Sequence, residues 1–160
     1  MTDTATTPVA TPSTTPVADA RMLALAHYAA RAVLEGVLER HGATFQQSVT
    51  LRVAAVAGGS VTREHLTAEV TGSLKATPAE VAAVIGELTS AGLLAPDPSE
   101  DGPLHLTPAG RTLYDTASAE SAAISARVWG GIPAEDLAAA GRVLTLVAAR
   151  ANAELARQRP

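Results

Sequence analysis

Between Gly58 and Arg111 the sequence switches from helical to alternating periodicity within one tightly punctuated stretch, and that switch leaves few folds open. Thr62 stands at a helix cap, with Val61 and Leu66 at the two positions of a hydrophobic staple and Leu66 and Val70 on one face of the short helix that follows. Thr71-Gly72-Ser73 is expected to end that helix, because glycine tolerates the left-handed conformation found at helix exits. Thr77-Pro78-Ala79-Glu80 then joins a capping box to a proline at the first helical position: the hydroxyl serves one orphan amide while the glutamate reaches back to another. Val81, Val84, Ile85 and Leu88 recur at helical spacing until Gly92, which predicts a second helix of about four turns.

After Gly92 the period changes. Leu93-Leu94-Ala95 is a short apolar run, Pro96 to Pro103 is a turn-rich polar loop, and Leu104-His105-Leu106 alternates before Thr107-Pro108 opens another helix. The order is helix, turn, helix, two-stranded wing. A helix-turn-helix holds its second helix proud of the body, so that residues at its start reach base edges in a DNA major groove. The same packing unit also serves without nucleic acid.

The chain's 160 residues are one domain's worth, and 47% hydrophobic content is ample for a core. With only 2% aromatic residues that core must be built from Ala, Leu and Val, which suits closely approaching helices and predicts a mainly α protein. The absence of cysteine excludes a disulfide scaffold and thiolate zinc sites. No apolar run approaches the roughly 18 residues of a membrane span and no signal-peptide pattern is visible, so the expectation is a cytoplasmic protein with no membrane partner.

The flanks supply the remaining surface. Residues 1–18 are built from Thr, Pro, Ala, Ser and Val, with Thr-Thr-Pro-Val-Ala at 6–10 and again at 14–18; such a segment buries too little to offset its ordering entropy and is expected to be a disordered tail. Asp19 caps a helix running from Ala20 to about Arg40, with Met22, Leu25, Ala29, Val33 and Val37 at helical spacing. Thr44 or Ser48 opens a second helix that lasts until Gly58-Gly59. Beyond the wing, Leu113, Ala117, Ile124 and Val128 share a helix face that ends near Trp129-Gly130-Gly131. Pro133, Glu135 and Asp136 open the last helix in the way its dipole favours, and its stripe runs through Leu137, Ala140, Gly141, Leu144, Ala148, Ala151 and Leu155. These terminal helices carry more apolar surface than a winged unit could cover. Residues 19–157 are therefore expected to form one domain, a winged unit at about 58–111 with a helical dimerisation layer from about 19–40 and 108–157, and Leu25, Leu137, Leu144 and Leu155 are the interface candidates.

The order of elements and the spelling of several segments resemble the MarR family of bacterial regulators. The segments are Glu87-Leu88-Thr89-Ser90-Ala91-Gly92-Leu93-Leu94, Leu106-Thr107-Pro108-Ala109-Gly110-Arg111 and Pro133-Ala134-Glu135-Asp136-Leu137, and the likeness spans about Asp19 to Arg157. The resemblance implies a homodimer of winged helix-turn-helix lobes, usually a repressor on a palindromic site, often released by a small aromatic ligand held between the DNA-binding and dimerisation layers. Departures fall where the family usually makes its DNA contacts. The start of the second helix carries Glu80, Ala82 and Ala83, Ala95 replaces a usual arginine, and Asp101-Gly102 at the wing tip is followed by Pro103.

Candidate DNA contacts are Arg63, His65 and Lys75 on the first helix and the turn, Thr77 at the second helix start, Arg111 after the wing and Arg52 before the unit. The competing readings are solvated surface charge for the cations and plain helix initiation for Thr77. Between Gly58 and Arg111 three basic residues face seven acidic ones, so the net charge of −4 falls on the unit that ought to meet a polyanion, and any binding to duplex DNA is expected to be weak. His27, Tyr28, His41 and Trp129 are the residues suited to an aromatic-ligand pocket, with core or interface packing as the rival role. The four histidines show no close metal spacing, and no phosphate loop or nucleophile-base spacing is present, so neither an enzyme nor a cofactor or metal is expected. The alternative to a DNA-binding regulator is a winged-helix dimer that acts as a ligand sensor or protein-interaction module.

Overall fold

A computed structural model describes residues 17–99 and 102–158. Six helices and a small sheet follow one another: α1 (Ala20–Arg40), α2 (Phe45–Val56), β1 (Ser60–Val61), α3 (Arg63–Leu74), α4 (Pro78–Ser90), β2 (Leu94–Pro96), β3 (Leu104–Leu106), α5 (Pro108–Trp129) and α6 (Ala134–Gln158). Residues 1–16, where most of the expected tail lies, are outside the described residues.

Local chemistry starts the helices. Asp19 accepts from the Met22 amide at 2.8 Å, and Thr62 accepts from the His65 amide at 3.2 Å. Thr44 rather than Ser48 opens α2, in a capping box with Gln47, because the Ser48 hydroxyl is turned back onto the Phe45 carbonyl. The second capping box, Thr77 with Glu80, opens α4 with Pro78 in its first turn. Gly92, at φ 70°, closes α4 in a Schellman arrangement: the Leu93 amide donates to Leu88 O and the Gly92 amide to Thr89 O.

The wing differs from the expected hairpin. It has three strands in the order β1-β3-β2, with Val61 opposite Leu104 and Leu94 opposite Leu106, all antiparallel. Two residues are too few to show alternation, so nothing in the spelling of Ser60-Val61 announced a strand. The end of α3 also differs. It runs through Gly72 to Leu74, and Lys75 takes the left-handed position at φ 57° while its Nζ donates to Gly72 O at 2.7 Å. Leu74 packs on the core, and that contact holds one more turn than the Thr71-Gly72-Ser73 signal suggested.

One core cluster joins α2, α3, α4 and the sheet, with Leu51, Leu66, Ile85 and Leu88 fully buried, and the staple pair Val61 and Leu66 inside it. A smaller cluster around Leu38, Ala43 and Ala117 ties α1 to α5. No residue of α6 is buried. Among the described residues no helix is long and apolar enough to cross a membrane.

Candidate nucleic-acid interface

The surface formed by α3, its turn and α4 is where most of the expected contacts come together. Arg63 and His65 lie exposed in the first turn of α3, and Arg63 and Glu64 share a shallow concavity with Thr67, Ala68, Thr71 and Pro78 at the start of α4. Lys75 is exposed at the corner between the two helices. Thr77 is exposed too, and its groups are engaged. Its amide and hydroxyl donate to Glu80 Oε2 at 2.7 and 2.8 Å, and the amide bond leads in holding the Glu80 carboxyl below its usual range, so Glu80 is anionic at neutral pH. The rest of the outward face of α4 is Ala79, Ala82, Ala83, Gly86 and Glu87, and Glu87 accepts from the Gln47 amide at 3.0 Å. The described part of this helix offers no cation.

At the wing, Asp97 Oδ1 accepts from the Ser99 hydroxyl at 2.6 Å and the Ser99 amide at 3.0 Å, and Oδ2 lies 3.3 Å from His105 Nε2. The Ser99 bonds lead in lowering the Asp97 pKa to about 2. Asp101, at the expected wing tip, is outside the described residues.

Arg111 and Arg52 stand apart from the α3–α4 surface. Arg111, in the first turn of α5, carries its guanidinium beside Gly59, 3.4 Å from where a Cβ on that glycine would sit. Arg52 lines a 160 Å³ concavity between α1, α2 and α5, where Ser48, Tyr114, Ser118 and Ser121 supply the other polar groups. Its walls are apolar and include Leu34, Leu38, Val49 and Leu113. The sequence marks Ser48 only as a possible helix start, and it gives Tyr114, Ser118 and Ser121 no role. They come from helices some 70 residues apart, and no local pattern marks them.

The other ligand candidates separate as well. His27 and Tyr28 lie side by side on exposed α1, their ring centroids 5.7 Å apart and their planes tilted by 60°, whereas Trp129 lines a different groove between α1 and α5. His41 is tied up. Its Nε2 lies 2.9 Å from Glu120 Oε2, and Glu120 also accepts from Arg40, whose bond leads in holding that carboxyl below its usual range. Leu25, Leu144 and Leu155 are exposed and Leu137 is half-buried. Among the described residues no group of three His, Cys, Asp or Glu side chains is placed to hold a metal ion.

A capped α3–turn–α4 unit packed beside a three-stranded wing defines a winged helix-turn-helix protein. By sequence no family model matches the chain, and no curated protein does. Solved structures do match. The DNA complex of the MarR family protein Rv2887 from Mycobacterium tuberculosis is similar at 26% identity and a TM-score of 0.60, over 82% of this chain and 98% of that one. The same protein with p-aminosalicylic acid is 25% identical, TM-score 0.61, over 80% and 96% of the two chains. CouR from Rhodococcus jostii RHA1 bound to p-coumaroyl-CoA is 20% identical, TM-score 0.65, over 79% and 88%. The fold is the MarR-type winged helix.

Proposed function

We propose that this protein is a DNA-binding transcriptional regulator that works as a homodimer, a repressor released by a small aromatic acid. The observation that carries the reading is the exposure of α4 along its outer face, held out by α3 and flanked by the wing, the arrangement that enters a major groove. Rv2887, of the same fold, has been solved with DNA. For the ligand, the concavity between α1, α2 and α5 offers apolar walls with Arg52 and the Ser118 and Ser121 hydroxyls in its lining, donors for a carboxylate on a small ring. Its 160 Å³ fits a single-ring compound such as the p-aminosalicylic acid found on Rv2887, and is too small for a coenzyme A ester like that on CouR. Among the candidates, Arg63, His65 and Lys75 meet the DNA, with Arg111 on a flanking phosphate; Thr77 starts α4, and Arg52 serves the ligand.

The charge of the winged unit favours a second reading, a winged-helix dimer that senses a ligand or binds a protein without DNA. A salt series separates the two. Fluorescence anisotropy of a random-sequence duplex should detect binding at low salt that falls steeply as salt rises. No binding even at low salt, with the protein folded, would replace the regulator by the sensor or protein-interaction module.

A further inference from the structure

Gln47, in the first turn of α2, uses both ends of its side-chain amide. Its Oε1 accepts from the Thr44 amide at 3.0 Å, completing the capping box, and its Nε2 donates to Glu87 Oε2 on α4 at 3.0 Å. The cap alone would be served as well by glutamate, since only an acceptor is needed there; the bond to α4 requires the donor that glutamine adds. Glu87 has its own need of that donor. It lies in the last turn of α4, at the negative end of the helix dipole, and among the described residues no cation pairs with it. The α1–α2 corner from which Gln47 reaches is itself anchored, because Arg40 and His41 both bond to Glu120 of α5, His41 through Nε2 at 2.9 Å. α4 packs on α2, α3 and β2, and α5 packs on α1 and α2, so α2 is the element that both share.

We propose that Gln47 is a positioning residue for the DNA-facing helix: it ties the exit end of α4 to the α1–α2 corner and so sets the angle at which the outer face of α4 is presented. The inference rests on the DNA-binding reading above and adds the residue that orients the helix. What else holds α4 does not do this. The Thr77–Glu80 box at its start is local to the helix, and Val81, Ile85 and Leu88 hold its inner side by burial in the core. Apolar burial is non-directional, and a directional bond from outside the core is what resists a roll of the helix about its own axis.

Three variants of the full chain separate the bond from the cap and from charge. Gln47→Glu keeps an acceptor for the Thr44 amide and removes the donor to Glu87. Gln46→Glu adds the same charge at the neighbouring, exposed position. Gln47→Glu combined with Glu87→Gln exchanges donor and acceptor at unchanged net charge. Two quantities are measured: amide protection in the last turn of α4, taken relative to intrinsic exchange rates and to Leu66 and Val70 of α3, and anisotropy of a random-sequence duplex at low salt. Gln47→Glu should lower that protection about three- to tenfold and weaken DNA binding several-fold more than Gln46→Glu does, and the double variant should restore both. Protection that Gln47→Glu leaves unchanged, or that the double variant fails to restore, overturns the proposal, as does DNA binding that Gln47→Glu and Gln46→Glu weaken equally. An unmodified chain that binds no duplex at low salt, while Gln47→Glu still loosens the end of α4, overturns the DNA-binding reading and leaves the tie between α2 and α4.

Discussion

A Cβ added to Gly110 would lie 2.1 Å from the carbonyl oxygen of Leu93, so the first turn of α5 touches the backbone that enters β2. Thr107 completes the joint: its hydroxyl donates to Gly92 O at 2.7 Å and accepts from the Gly110 amide at 3.0 Å. Cap, wing and α4 exit are one unit, and glycine is required at its centre by contact.

Gly110→Ala should therefore destabilise the fold by about 3 kcal/mol, the upper end of overpacking costs, since backbone cannot swing aside as a side chain can. Gly86→Ala is the control. No atom lies within 4 Å of its Cβ position, and it should gain up to about 1 kcal/mol from helix propensity. Urea unfolding of both variants checks the pair, and a Gly110→Ala protein as stable as the parent would refute the contact.

The Thr77–Glu80 box should be visible in the pH dependence of α4. With its pKa lowered in the folded state, Glu80 contributes stability that is present above its unfolded pKa of about 4.5 and is lost as pH falls through the lower folded value. Thr77→Ala should return the Glu80 carboxyl toward its ordinary value in an NMR titration and lower the melting temperature by about 2–4 °C, while Thr77→Ser keeps both. An unmoved titration in Thr77→Ala would mean that the bonds do not hold the carboxylate.

The wing should loosen only in strong acid. Asp97 titrates at about 2 against 3.8 for a free side chain, so the stability it lends the loop is complete above pH 3.8 and disappears as pH falls through about 2. Amide protection at Ser99 and Gly102, taken relative to the intrinsic exchange rate at each pH, should hold down to about pH 4 and fall below it, and Asp97→Asn should remove that pH dependence. Protection that is already lost between pH 7 and 5 would show that the Asp97 carboxylate is not the controlling group.

Affinity for DNA should be limited by charge rather than by shape. Adding a cation at Ala83 or Pro103, both on the surface expected to face DNA, should strengthen binding to unrelated duplexes alike, because each Arg displaces condensed counterions without reading bases. Ala83→Arg and Pro103→Arg are each expected to raise affinity several-fold in an anisotropy titration and to steepen its salt dependence. Nanomolar, sequence-specific binding by the unmodified chain at physiological salt would show that backbone amides and helix starts outweigh the acidic surface.

How much was legible in the sequence follows from the distance over which each feature is satisfied. Thr62, Thr77 with Glu80, and Gly92 complete their hydrogen bonds within five residues, so the caps and exits they spell are the ones found. The periodicities of α1, α4, α5 and α6 are local in the same sense, and they fix which face of each helix is apolar. Tertiary structure decided what those faces and ends meet. Ser60-Val61 became a strand because β3 arrived some 45 residues later to pair with it, and Lys75 took a left-handed turn that a glycine would ordinarily hold because Leu74 is held in the core. Arg52, spelled as one more surface cation, was brought beside Tyr114 and Ser118 by the packing of α2 on α5. A local hydrogen bond constrains the residues that make it wherever the chain goes, whereas a concavity exists only once separate helices have packed, and its polar lining follows from that packing.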